Sequence, residues 1–128
     1  MIKTPYIFWR GRYSPLTEVE VFHNDKSIRT LAYIDTGATY SVFHSDFGEE
    51  LGIDLQSGKK YDITVGDGGM IPVFLHELKI KIEELEFIGE IGFSERLGTG
   101  INIIGRDGIL DNFNVCFDGP NKQIIWHD

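Results

Sequence analysis

Apolar and charged residues alternate along much of the chain, and this alternation is its dominant pattern. It is clearest at 18–21 (Glu-Val-Glu-Val) and 79–82 (Lys-Ile-Lys-Ile), where each segment would carry charges on one face and aliphatic side chains on the other. A period of two is typical of a half-buried β-strand. A polar break at 24–26 separates two such runs and predicts a first hairpin. Further strands are predicted at 41–43, 61–65, 71–82, 85–93, 101–104, 113–117 and 123–126.

Helical signals are few. One short helix is predicted at about 46–51, because Ser45 can cap its first N–H groups and Gly52 suits a left-handed C-terminal stop. A second short helix is predicted after Gly105, with an apolar side formed by Ile109, Leu110 and Phe113. Many short strands with one or two short helices predict an all-β chain, folded as a closed barrel or a sandwich.

Length and charge narrow the range of functions. The chain has 128 residues, which predicts a single domain over 1–128. With 12 Lys and Arg against 20 Asp and Glu, the net charge is −8, which argues against nucleic acid and membrane surfaces as partners. The N-terminal residues lack the apolar core of a signal peptide, and no apolar run is long enough to span a membrane, so a cytoplasmic location is expected.

Cysteine and histidine give no sign of a metal site or a cofactor. Cys116 is the single cysteine, so it cannot form a disulfide within the chain or a cysteine zinc site. It lies between Val115 and Phe117, which predicts a small buried side chain rather than a reactive thiol. The four histidines lack the spacing of metal ligands. We therefore expect neither metal nor cofactor.

Three segments are candidates for chemistry, and their order matters more than any one of them. Residues 32–38 (Ala-Tyr-Ile-Asp-Thr-Gly-Ala) place an acidic residue at the end of an apolar strand. Residues 64–71 (Thr-Val-Gly-Asp-Gly-Gly-Met-Ile) join two strand-like flanks by a glycine-rich tip. Residues 101–107 (Ile-Asn-Ile-Ile-Gly-Arg-Asp) place two apolar residues and a glycine before a short helix.

Together these segments resemble the retropepsin-like aspartic proteases, the single-domain class that includes the retroviral proteases. The resemblance implies an all-β homodimer that hydrolyses peptide bonds, with a flap hairpin over the substrate. It implies these roles: Asp35 catalytic; Thr36, Gly37 and Ala38 supporting the active-site loop; Gly66, Asp67, Gly68, Gly69 and Met70 forming the flap; and Ile104, Gly105 and Arg106 structural beside the site.

The proposed chemistry needs two carboxyl groups. One group must take a proton from the attacking water while another polarises the peptide carbonyl, and a single carboxyl cannot be ionised and protonated at once. Two carboxyls about 3 Å apart share one proton and supply both functions. The chain contains one Asp-Thr-Gly, so the second Asp35 is expected from a twofold-related copy. The acidic net charge opposes full ionisation of the pair, which predicts activity on the acidic side of neutrality.

Two departures from the family leave alternatives open. Retroviral members commonly carry, at the position of Thr39, an acidic residue that pairs with the arginine matching Arg106, so Arg106 is expected to lack that partner unless Asp107 or another carboxylate replaces it. The chain also continues into a predicted hairpin around residues 118–121, a candidate for the dimer seam. The alternative functions are a non-catalytic peptide-binding module and a structural dimerisation domain of the same fold. Asp35 as an ordinary turn residue, and Arg106 as an ordinary surface charge, are the alternative interpretations of those residues.

Overall fold

The computed structural model describes residues 1–64, 68–97 and 100–127. Within these ranges strands predominate, with one α-helix, α1 (Ser45–Glu50), and two 3-10 turns, Leu55–Ser57 and Leu110–Asn112. The strands are β1 (Ile2–Pro5), β2 (Ile7–Trp9), β3 (Arg12–Ser14), β4 (Leu16–His23), β5 (Lys26–Ile34), β6 (Val42–His44), β7 (Lys59–Thr64), β8 (Met70–Ile82), β9 (Leu85–Ser94), β10 (Asn102–Ile104), β11 (Asn114–Asp118) and β12 (Gln123–His127).

Six of the strands pair in a closed ring. Their order is β4-β5-β10-β6-β9-β8, and β8 returns to pair with β4, with Val21 opposite Ile80. β7 pairs with the first half of β8, over residues 70–75. β2 pairs with β3, while β1, β12 and β11 form a separate three-stranded sheet. The prediction of an all-β closed fold is confirmed.

Two pairs in the ring are parallel, which positions the candidate site. β5 runs parallel to β10, with Ile34 opposite Ile104, and β6 runs parallel to β9. Parallel neighbours end at the same edge of a sheet. The residues that follow β5 and those that follow β10 are therefore brought side by side, although about 70 residues of chain separate them.

The core follows from the period-two pattern. In β8 the aliphatic positions of Lys79-Ile80-Lys81-Ile82 are fully buried, whereas Lys79 is exposed and Lys81 half-buried. Trp126 of β12 is also fully buried; its Nε1 donates to Thr4 Oγ1 at 3.0 Å. The three-stranded sheet is thereby packed against the barrel core, in which Trp126 joins Ile80 and Ile82.

A second apolar cluster lies under the hairpin formed by β7 and β8. Its buried members are Val42, Ile71, Val73 and Leu75, and Tyr40, Tyr61, Ile63 and Leu97 pack against them. We call this set the hairpin cluster. Because it includes side chains from β6, β7 and β8, it holds the hairpin against the strand that follows the Asp-Thr-Gly segment.

The local structure differs from the sequence predictions at both helices. Helix α1 begins at Ser45, and its N-cap is His44, whose Nδ1 accepts from Asp46 N at 3.1 Å, so the prediction that Ser45 is the cap was wrong. Ser45 is helical and buried, so the extended residue that ends β6 takes the cap position. Gly52 has φ +76° at the end of the helix, as predicted. The second helix is only the 3-10 turn Leu110–Asn112, which follows the left-handed Gly108.

The two ends of the chain also depart from prediction. Alternation did not predict β1, β2 and β3, which span only three or four residues each. The C-terminal hairpin of β11 and β12 is present, but Cys116 is exposed, so its predicted burial was wrong. Val115 turns toward the core, and its neighbour Cys116 must then turn outward. Within the described ranges, no helix has the length and hydropathy needed to cross a membrane.

Candidate active site

The Asp-Thr-Gly segment lies where β5 ends, beside the end of β10. The backbone N–H of Asp35 donates to the Ile104 carbonyl at 2.9 Å, continuing the contact between the two parallel strands. Ile104 is fully buried, so this end of β10 is anchored in the core. The segment is therefore held on a rigid edge of the barrel. Asp35 itself is half-buried, and Thr36 and Gly37 are exposed.

The loop is a tight turn closed by the aspartate itself. Asp35 Oδ1 accepts from the Gly37 N–H at 2.9 Å, and the Asp35 carbonyl accepts from the Ala38 N–H at 3.1 Å. Aspartate commonly closes turns in this way. A Cβ on Gly37 would lie 3.2 Å from Asp35 Oδ1, which is shorter than an ordinary van der Waals contact. Glycine at this position therefore avoids crowding the Asp35 carboxylate. These bonds fix the direction of the Asp35 side chain.

Gly105 forms the support beneath the loop. Its N–H donates to Ser41 Oγ at 2.9 Å, a buried bond between residues 64 positions apart. A Cβ at Gly105 would collide with the carbonyl group of Tyr40 and would lie 2.9 Å from the Ala38 carbonyl oxygen. Both contacts are with backbone, which cannot rotate away. The segments after β5 and β10 therefore approach more closely than any residue other than glycine permits.

Arg106 is bonded to the loop that follows Asp35 through the Thr39 hydroxyl and the Ala38 carbonyl, and not through a carboxylate. Arg106 Nη2 donates to Thr39 Oγ1 at 3.3 Å, and Nε donates to the Ala38 carbonyl at 3.4 Å. The backbone N–H groups of Arg106 and Asp107 donate to the carbonyls of Ala38 and Thr39 at 3.0 and 2.7 Å. A hydroxyl accepts from a guanidinium as a carboxylate does, so Thr39 replaces the charged partner by a neutral one. No ion pair of Arg106 is found within the described ranges.

The predicted flap corresponds to the hairpin of β7 and β8. Thr64 lies opposite Met70 as the last described pair, and Gly68, Gly69 and Met70 are exposed. Gly68 has φ +85°, a conformation that favours glycine. Gly66 and Asp67, which were also predicted as flap residues, lie outside the described residues.

Two buried polar residues near the site were not identified from the sequence. Ser41 is the acceptor for Gly105, as described above. Asn102 accepts from the His44 N–H at 2.9 Å and donates to Thr30 Oγ1 at 3.2 Å, joining β10 to both β6 and β5. A sequence signal existed for Asn102, since an amide inside the apolar run 101–104 must find partners if it is buried. Ser41 gave no such signal.

Among the described residues, no group of three or more His, Cys, Asp or Glu side chains is arranged to hold a metal ion.

Comparison with known proteins supports the fold. No protein-family model matches the chain, and no curated protein matches it. Among solved structures, the chain is similar to EIAV protease, determined in complex with the inhibitor HBY-793. The two share 25% sequence identity with a TM-score of 0.57, over 83% of this chain and 94% of the EIAV protein. The chain thus has the fold of a retroviral protease.

Proposed function

We propose that the chain is a single-domain aspartic endopeptidase, assembled as a homodimer, that hydrolyses peptide bonds with a water activated by two Asp35 carboxyls. The observation that carries this proposal is the Asp35-Thr36-Gly37 turn, held against Ile104 and Gly105 at one edge of a barrel that resembles EIAV protease. The fold supports a peptidase, and the turn is where its chemistry would take place.

The geometry of the turn suits a site shared by two copies. Asp35 Oδ1 is held by the Gly37 N–H, so the carboxylate keeps one orientation without a partner charge. Thr36 and Gly37 are exposed, and because Thr36 has a small side chain and Gly37 has none, the same loop of a second copy has room to approach. When two Asp35 groups meet, they hold one proton between them, and the ionised one accepts a proton from water while the other donates toward the peptide carbonyl. Neither step requires a metal or a cofactor.

The substrate would be an extended peptide lying between the loop and the hairpin of β7 and β8. An extended peptide gains affinity from backbone hydrogen bonds and selectivity from pockets for alternate side chains. Gly68, Gly69 and Met70 are exposed where β8 begins, and the proposed flap also includes Gly66 and Asp67. Gly37 and Ala38, which lie opposite the flap, have no side chain and a methyl group, so the peptide backbone can approach the loop closely.

The test is cleavage of a diverse peptide mixture, followed by mass spectrometry, for the wild-type chain and for Asp35→Asn. We expect the substitution to lower the cleavage rate by about 10²- to 10⁴-fold, because the amide can neither accept the proton from water nor share one. Asp25→Asn is the matched control, since Asp25 is exposed in the turn between β4 and β5, and its rate should equal that of the wild type. Cleavage by Asp35→Asn at the wild-type rate would end the proposal.

Light scattering on the same samples tests the requirement for two copies. We expect a dimer at the concentrations at which peptides are cut, and a pepstatin-type inhibitor should suppress the cutting. A strictly monomeric chain that still cleaves peptides would contradict the shared site. Binding of peptides without cleavage would instead indicate the peptide-binding module considered in the sequence analysis.

A further inference from the structure

Two tyrosines join the active-site loop to the candidate flap. Tyr40 follows the loop directly, and Tyr61 lies in the middle of β7. Their ring centroids are 5.9 Å apart with an interplanar angle of 29°, which is a stacked arrangement. Both side chains are half-buried, and both pack against the buried residues of the hairpin cluster. The stack is thus a direct contact between the floor of the proposed cleft and the hairpin above it.

The floor side of this contact is rigid. The Tyr40 carbonyl lies against Gly105 so closely that a Cβ there would collide with it. The next residue, Ser41, accepts from the Gly105 N–H through its hydroxyl and from the Gly92 N–H through its carbonyl, at 2.9 and 2.8 Å. The backbone at Tyr40 is therefore restrained by Gly105 and by Gly92, which fixes the point from which the Tyr40 ring reaches β7.

The hairpin side is held by few contacts. Among the described residues β7 pairs only with β8, so it is an edge strand. Of its six residues, only Tyr61 and Ile63 are half-buried, and the remaining four are exposed. Lys59 Nζ lies 5.0 Å from the Tyr61 ring centroid, adding a cation to the stack. The position of β7 relative to the active-site loop thus depends on two side chains, and Tyr61 is the one that meets a residue adjoining the loop.

We propose that the Tyr40–Tyr61 stack sets the position of the β7–β8 hairpin over the Asp35 loop, which makes Tyr61 a positioning residue for peptide binding. The inference rests on the proposed function as far as it concerns peptides. Its physical basis is the ring rather than the hydroxyl, because offset-stacked aromatic rings stabilise each other beyond the area that they bury. Removal of either ring breaks the contact between β7 and Tyr40. β7 would then be held only by its pairing with β8 and by Ile63, so the hairpin should open more readily.

Hydrogen exchange measured by mass spectrometry on the whole chain tests the inference without any substrate. We expect Tyr61→Leu to speed exchange in segments 59–64 and 70–75 by about two- to tenfold, the range that an aromatic pair of this kind supports. Tyr61→Phe keeps the ring and should exchange as the wild type does. Tyr13→Leu is the matched control, because it removes a ring paired with Phe8 at 5.3 Å in the separate β2–β3 sheet.

A double-substitution cycle decides whether the two tyrosines act through each other. If they do, Tyr40→Leu combined with Tyr61→Leu should speed exchange no more than either change alone. Independent, additive effects would overturn the proposal, and so would wild-type exchange in Tyr61→Leu. Accelerated exchange in Tyr61→Phe would also overturn it, since the hydroxyl would then be the important group.

Kinetics extend the test to peptide binding. We expect Tyr61→Leu to raise KM by about two- to tenfold while kcat changes less, because the substitution alters the position of the hairpin and leaves the Asp35 turn intact. A fall of about two- to tenfold in kcat with KM unchanged would contradict a positioning role. If the wild-type chain cleaves no peptide, the proposed function fails, whereas the exchange experiment still decides whether the stack positions the hairpin.

Discussion

Replacing Gly105 by alanine tests the close approach on which the candidate site depends. Gly105 is not among the residues with positive φ, so its backbone accepts alanine and only space opposes the change. The new Cβ would collide with the Tyr40 carbonyl group and would lie 2.9 Å from the Ala38 oxygen. Overpacking of this kind costs about 1–3 kcal/mol, and we take about 2–3 kcal/mol because both neighbours are backbone. The lower entropy of the unfolded alanine chain offsets about 0.4–1 kcal/mol of this cost, which leaves a net loss of about 1–2.6 kcal/mol.

Urea unfolding at one fixed protein concentration measures this loss. With a slope of about 2 kcal/mol per molar urea, the midpoint should fall by about 0.5–1.3 M. Gly119→Ala is the matched control, because no atom lies within 4 Å of the Cβ position and φ is not positive there. That control should gain about 0.4–1 kcal/mol from the same change in the unfolded chain, with no overpacking to oppose it. Equal midpoints for Gly105→Ala and Gly119→Ala would refute the reasoning. Peptide cleavage should fall with Gly105→Ala as well, because displacement of the Asp35 loop by about 1 Å can cost about 10²-fold.

Two further predictions concern the C-terminal sheet. Trp126→Phe removes the donor to the buried Thr4 hydroxyl, so the free energy of unfolding should fall by about 1–3 kcal/mol in thermal or urea unfolding; an unchanged stability would show that the bond contributes nothing. The side-chain amides of Asn121 and then of Gln123 donate to Asp118 and hold the pKa of that carboxyl below its usual value. A lowered pKa stabilises the fold at pH values above the ordinary pKa, and this contribution is lost as the pH falls through the folded value. Asn121→Ala should therefore raise the pKa of Asp118, as measured by NMR titration of its carboxyl carbon, and should reduce stability at neutral pH more than in strong acid. A pKa unmoved by the substitution would contradict the assignment.

The sequence by itself determined the local features of the chain. Alternation at 79–82 predicted which side chains are buried, because the period of two is a property of the extended backbone. Gly52 predicted the left-handed end of the helix, since an L side chain rarely adopts that conformation. The order of the Asp-Thr-Gly segment, the glycine-rich segment and the Gly105 segment also pointed to the fold that the comparison with EIAV protease supports.

Only the tertiary structure decided which of these segments meet, and through which atoms. The bonds of Ser41 to Gly105 and of Thr39 to Arg106 join residues 64 and 67 positions apart, and they exist because β5 and β10 are parallel neighbours. No local pattern encodes that pairing. The N-cap at His44 and the exposure of Cys116 likewise depend on where a strand ends and which of its faces meets the core. Local geometry is set by neighbouring residues, whereas strand order and register are set by the packing of the whole chain. The candidate site depends on strand order and register, because its contacts join segments that are distant in the sequence.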